Sequence, residues 1–86
     1  MSGMEVGQIV CSLKGSDKGS FLLVARVDEK YVYLVNGKRY KLENPKRKNF
    51  KHISITQTRL NQDEFLTDKA VRKALAVYRN KYNQNI

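Results

Sequence analysis

The stretch Tyr31-Val32-Tyr33-Leu34-Val35-Asn36-Gly37-Lys38-Arg39-Tyr40-Lys41-Leu42 decides how this chain folds. Its first five residues are β-branched, aromatic or aliphatic, the composition of a strand. Asn36-Gly37 follows, the strongest short-range hairpin signal, because both residues accept the positive φ angles of a tight reversal. Residues 39–42 then read as the returning strand. Side chains alternate between faces along a strand, so the turn determines which residues share a face. A two-residue turn pairs Val35 with Lys38 and Tyr33 with Tyr40, and sends Tyr31, Tyr33, Tyr40 and Leu42 inward. A three-residue loop with Gly37 as a bulge pairs Leu34 with Lys38 and Val32 with Tyr40. Val32, Leu34, Tyr40 and Leu42 then point inward, and Tyr31, Tyr33, Arg39 and Lys41 point outward. The second register is preferred, since it buries aliphatic groups and leaves the cations in water. It also interleaves rings with cations on one surface.

On either side the chain continues in short strands. Residues 6–13 alternate Ile9, Cys11 and Leu13 against Gln8, Val10 and Ser12, the pattern of a half-buried strand. Residues 14–20 form a turn-rich loop. Phe21–Val27 is apolar on both faces, as expected of the most buried strand in a small barrel. Beyond the basic segment, residues 52–56 alternate again. Five short strands at this spacing indicate a mainly β fold, a closed or nearly closed antiparallel barrel.

After residue 66 the period changes. Val71, Leu75, Tyr78 and Tyr82 recur at steps of four, three and four, one face of an amphipathic α-helix. Thr67 is a suitable N-cap, Asp68 complements the positive helix end, and Leu66 is placed to staple onto Val71. The expected organisation is one domain (1–86), with a barrel over 5–56, a connector over 57–66 and a C-terminal helix over 67–82. The apolar helix face most simply packs on the barrel.

The 86 residues carry 17 Lys+Arg against 8 Asp+Glu, a formal charge of +9. Residues 1–29 hold a net −1, residues 30–60 a net +8 and residues 61–86 a net +2. Residues 38–51 alone place seven cations in fourteen positions. Cations this close repel one another, and a polyanion relieves that repulsion while releasing its own counterions. A charge run is often only a solvated face. Here Tyr40 and Phe50 interrupt the cations on a folded domain, which favours a nucleic-acid surface.

Several classes are disfavoured. One Cys excludes an intrachain disulfide, and one Cys with one His cannot close a structural zinc site. The apolar run at residues 21–25 falls far short of the roughly 20 residues of a membrane span. Met1-Ser2-Gly3-Met4-Glu5 lacks the basic and apolar segments of a secretory leader. A cytoplasmic protein without a membrane partner is expected, monomeric when free. There is no nucleotide-binding Gly-rich loop and no His-carboxylate cluster, and the acid pairs Asp28-Glu29 and Asp63-Glu64 sit in turns. No enzymatic activity, cofactor, metal or small-molecule substrate is expected. Cys11 shares the face of Ile9 and Leu13, which points to a buried, inert thiol.

Taken in order, Val6-Gly7-Gln8-Ile9-Val10, Lys14-Gly15-Ser16-Asp17-Lys18-Gly19 and the apolar strand to Asn36-Gly37 resemble the KOW motif. That motif is a hairpin unit with a glycine in its first loop, present in ribosomal proteins and transcription elongation factors. Gly19 matches the loop glycine, and Gly7 the glycine that opens the motif. Gly37-Lys38-Arg39 and Asn44-Pro45-Lys46-Arg47-Lys48-Asn49-Phe50-Lys51-His52-Ile53 are similar to the archaeal and eukaryotic large-subunit ribosomal protein family numbered fourteen, and to its small bacterial relatives. The resemblance covers residues 5–56 and leaves out the helix. It implies an SH3-like barrel that binds ribosomal RNA through loops and a barrel edge. Some KOW domains instead contact proteins of the transcription or translation machinery.

The candidate RNA-binding residues follow from charge, aromaticity and backbone freedom. Gly15 and Gly19 bracket a loop whose amides can approach a phosphate, with Lys14 and Lys18 supplying charge and Asp17 opposing it. A tight turn with no ligand is the plainer reading of that loop. Pro45 stiffens the entry to Lys46, Arg47 and Lys48, the leading phosphate contacts. The planar fork of Arg47 suits a bidentate contact. Lys51 and His52 follow at the entrance to the next strand. Tyr31 and Tyr33, beside Arg39 and Lys41, offer rings for stacking on unpaired bases. The expected function is RNA binding on or near the large ribosomal subunit. A protein-interaction barrel and a double-stranded DNA binder are the alternatives.

Overall fold

The computed structural model describes residues 4–84, with side chains through residue 81. Side chains along Gln8–Ser12 (β1), Phe21–Val27 (β2) and Tyr31–Val35 (β3) point alternately to the two faces of a sheet. Lys46–Asn49 (β4) and Ile53–Arg59 (β5) complete it. Neighbouring strands are antiparallel, in the order β4-β3-β2-β1-β5. A 3-10 turn, Phe50–His52, carries the chain from β4 into β5, which crosses over to pair with β1. The result is a small SH3-like antiparallel barrel with one C-terminal helix, Asp68–Gln84 (α1). No helix among the described residues is long and apolar enough to cross a membrane.

Two cores lie on the two faces of the sheet. The inner face gathers Met4, Val10, Leu22, Val24, Val32, Leu34 and Ile53, with Tyr40 and Phe50 packed against them. The outer face presents Ile9, Leu23 and Val35, which Phe65, Val71 and Leu75 cover. This is why β2 is apolar on both faces. Each fully buried leucine contributes roughly 2–3 kcal/mol, so a chain this short needs its helix as a structural layer.

The helix begins as its sequence implies. Thr67 Oγ1 accepts a hydrogen bond from the Ala70 N–H at 3.0 Å, and Asp68 Oδ1 accepts one from the Leu42 N–H at 2.8 Å. The staple from Leu66 does not form, because that side chain is 71% exposed. Phe65, at the end of a 3-10 turn over Gln62–Phe65, is buried against Val71 instead. Tyr82, expected on the apolar helix face, lies outside the described side chains.

The hairpin expected at Asn36-Gly37 is absent. Residues 39–42 are not a strand, and Tyr40 pairs with neither Tyr33 nor Val32. The fourth strand is the cationic segment Lys46–Asn49, with Tyr33 opposite Arg47 and Val32 opposite Lys48. The cause lies in the helix. Asn36 Oδ1 accepts hydrogen bonds from the Lys38 and Tyr40 N–H groups, both at 3.0 Å, and folds the chain sharply. Gly37, with φ +78°, packs on the start of α1, where a Cβ would run into the Asp68 carbonyl and lie 2.7 Å from Arg72 Cγ. Arg72 Nη1 donates to the Gly37 carbonyl at 2.5 Å. The Asn-Gly turn thus docks the helix instead of returning a strand. Of the residues the second register sends inward, Val32, Leu34 and Tyr40 join the inner core, whereas Leu42 packs against the outer one; Tyr31 and Tyr33 are half-exposed, and Arg39 and Lys41 exposed. Two smaller corrections concern boundaries and burial. β5 reaches Arg59, so residues 57–59 belong to the barrel and not to the connector, and Cys11 is half-buried.

Candidate nucleic-acid interface

A bulge in β2 between Val24 and Arg26 shifts its register against β3, so that Arg26 stands opposite Tyr33. Tyr33 in turn stands opposite Arg47 on β4. Cross-strand neighbours point to the same side of a sheet, so Arg26, Tyr33 and Arg47 form one row over three strands. The Arg26 guanidinium carbon lies 4.0 Å from the centre of the Tyr33 ring. That of Arg47 lies 4.6 Å from the centre of the Tyr31 ring, its diagonal neighbour. Cation–π contacts at such exposed positions contribute about 0.5–1 kcal/mol each, enough to orient the planar groups.

Asp28 holds the end of this ladder. Its Oδ1 accepts hydrogen bonds from the Lys30 and Tyr31 N–H groups, at 3.0 and 2.9 Å. The Tyr33 hydroxyl donates to Oδ2 at 2.7 Å. That hydroxyl, followed by the two backbone donors, keeps the Asp28 carboxyl below its ordinary pKa. The Tyr33 ring is therefore fixed at its tip by Asp28 and on its face by Arg26. A guanidinium over a ring can offer its outer side to a base and its N–H groups to phosphate.

Several of the remaining candidates lie on or against the 13–20 loop. Lys14, Gly15, Lys18 and Gly19 belong to it, and both glycines adopt positive φ, +95° and +87°. Arg39 reaches the loop through Ser16 Oγ at 3.5 Å, and the His52 carbonyl accepts the Leu13 N–H at 2.9 Å. Lys48 behaves differently from its neighbours. Its Nζ lies 3.0 Å from Asp17 Oδ1, 3.1 Å from Ser12 Oγ and 2.6 Å from the Lys14 carbonyl. Its charge is neutralised within the protein, so it does not belong to the interface the sequence implied. Arg47, one residue earlier, points the other way and joins the ladder. Lys41, Lys46 and Lys51 are exposed, on the 41–44 turn, at the start of β4 and in the 3-10 turn.

The structure thus brings Tyr31, Tyr33 and Arg47 together and places Lys14, Lys18, Arg39 and His52 around a separate loop. Arg26 was missed by the sequence reading. Its signal was a lone cation interrupting the otherwise apolar Phe21–Val27. No protein-family model matches this chain.

Proposed function

We propose that this protein is an RNA-binding module acting in association with the ribosome or another structured RNA in the cytoplasm. The observation that carries the reading is the ladder: two tyrosine rings, each under a guanidinium, on one open face of β2, β3 and β4. Rings and guanidinium planes stack on unpaired bases of any identity, and their N–H edges meet the adjoining phosphates. The net +8 of residues 30–60 supplies a long-range attraction between the protein and a polyanion. The proposed role is binding, with no catalytic step. Competition between an RNA hairpin carrying an unpaired loop and a DNA duplex of the same length tests it. The hairpin should displace the duplex at lower concentration, and equal displacement would contradict stacking on unpaired bases. Tagged protein sedimented through a sucrose gradient should travel with large ribosomal subunits if the resemblance to the KOW ribosomal proteins extends to its partner.

A second reading, a protein-interaction barrel, has one observation in its favour. Cys11, Leu13, Phe21, Ile55 and Tyr78 line an open groove between the β1–β5 surface and α1, with Leu13 and Ile55 each nearly half exposed. Capture of partners that survives nuclease treatment would favour that reading over RNA.

A further inference from the structure

A second cation-lined concavity shares no residue with the ladder. It lies between the 13–20 loop, the 36–38 turn and helix α1, with Lys38, Arg72 and Arg79 on its walls and Phe21 and Leu75 in its floor. We propose that this groove holds phosphate groups of the RNA backbone, which makes α1 a wall of the binding site as well as a layer of the core. The inference rests on the RNA reading and extends it to a face that reading does not use.

Helix geometry places the two arginines. Arg72 and Arg79 are seven residues apart, two turns along one side of α1, and flank Leu75, which is buried against the sheet. Both therefore stand at the edge of the docked face, over the groove. Lys38 arrives from the other wall because Gly37, lacking a Cβ, lets the turn lie against the helix start. Arg72 gives one of its five donors to the Gly37 carbonyl, which holds its guanidinium in place at the rim.

Electrostatics favour an anion there. Among the described residues no carboxylate lines the groove. The two acids nearest in sequence to its walls are committed elsewhere: Asp68 to the Leu42 N–H and Asp17 to Lys48. Three positive charges over an apolar floor, in a concave site, raise the local potential above that of the same charges on an open surface. The groove encloses about 510 Å³, within the roughly 300–1,000 Å³ typical of ligand clefts, so it admits a backbone phosphate with its sugar.

The test is the salt dependence of binding by the whole chain to a labelled single-stranded RNA of about 20 nucleotides. Each phosphate contact contributes about 0.7 to the slope of log affinity against log salt. The double variant Lys38→Gln/Arg79→Gln, which leaves the Arg72–Gly37 contact intact, should flatten the slope by about 1.4. Arg79→Gln alone should flatten it by about 0.7. An unchanged slope in variants with unaltered thermal melting removes the groove from the site, while RNA binding by the parent chain still stands. Absence of RNA binding by the parent chain defeats both readings together. Inorganic phosphate, matched against chloride for ionic strength, should leave RNA binding unaltered. Displacement by a few millimolar phosphate would assign the groove to free phosphate and overturn the backbone assignment.

Discussion

Lys48 Nζ stands 3.0 Å from Asp17 Oδ1, with only 9% and 12% of the two side chains exposed. The pair joins β4 to the 13–20 loop, and the Ser12 hydroxyl bonds both partners, donating to Asp17 at 2.7 Å. A cation from the centre of the basic segment is thereby spent on the fold. Lys48→Met removes the cation paired with the Asp17 carboxylate, leaving Ser12 as its side-chain partner. Removing one partner of a largely buried pair should lower the unfolding free energy by about 3 kcal/mol in urea denaturation. RNA affinity of the folded variant should change less than about twofold. A salt slope flattened by about 0.7 would instead place Lys48 on a phosphate.

The same pair sets an acid limit on stability. Burial opposes ionisation of Asp17, but the Ser12 hydrogen bond, then the hydrogen bond and charge of Lys48, outweigh it and hold the carboxyl below 3.8. A carboxyl with a depressed folded-state pKa stabilises fully above its unfolded value and loses that contribution as pH falls through the folded one. Wild type should therefore exceed Asp17→Asn in urea midpoint at pH 7, and the difference should shrink below about pH 3.8. A difference constant down to pH 2 would show that the ionised form is not what stabilises the loop.

Gly37 and Gly19 share positive φ but not surroundings. A Cβ on Gly19 meets nothing within 4 Å, whereas one on Gly37 meets the Asp68 carbonyl and Arg72 Cγ. Gly19→Ala should cost about 1–2 kcal/mol, the strain of left-handed backbone alone. Gly37→Ala should cost more, and it should loosen the first turns of α1, read as faster hydrogen exchange at Ala70 and Val71. Equal costs with unaltered exchange would mean that the turn does not dock the helix.

Period-two and period-3.6 patterns carried most of the fold. The strand cores of β1, β2, β3 and β5 and the start of α1 at Asp68 were legible because apolar positions repeat locally. The fourth strand was not. Lys46–Asn49 has no apolar alternation; it is an edge strand, where cations are tolerated because they discourage pairing with another chain. Asn36-Gly37 carries a strong local preference for a hairpin, and a long-range contact with Asp68 and Arg72 redirected it. The candidate site shows the same division. Tyr31 and Tyr33 were readable from alternation along one strand. Arg26 depended on a bulge, and the loss of Lys48 depended on an acid 31 positions away, neither of which leaves a local pattern.

Arg26 should act through its shape as well as its charge. Arg26→Lys keeps the cation but loses the planar guanidinium over Tyr33. RNA affinity should fall about 3- to 10-fold with the salt slope unchanged. Full retention of affinity would mean that the guanidinium plane over Tyr33 plays no part in binding.

The decisive comparison is RNA affinity, across a salt series, of the parent chain, Tyr31→Leu/Tyr33→Leu and Tyr31→Phe/Tyr33→Phe. Stacking contributes about 1–3 kcal/mol per base. The leucine variant should therefore bind at least about 30-fold more weakly, while the phenylalanine variant stays near the parent. All three should keep a slope of about −3 to −4, the value for four to six phosphates of a single strand. Equal affinity of the leucine variant and the parent chain would show that the ladder does not bind RNA.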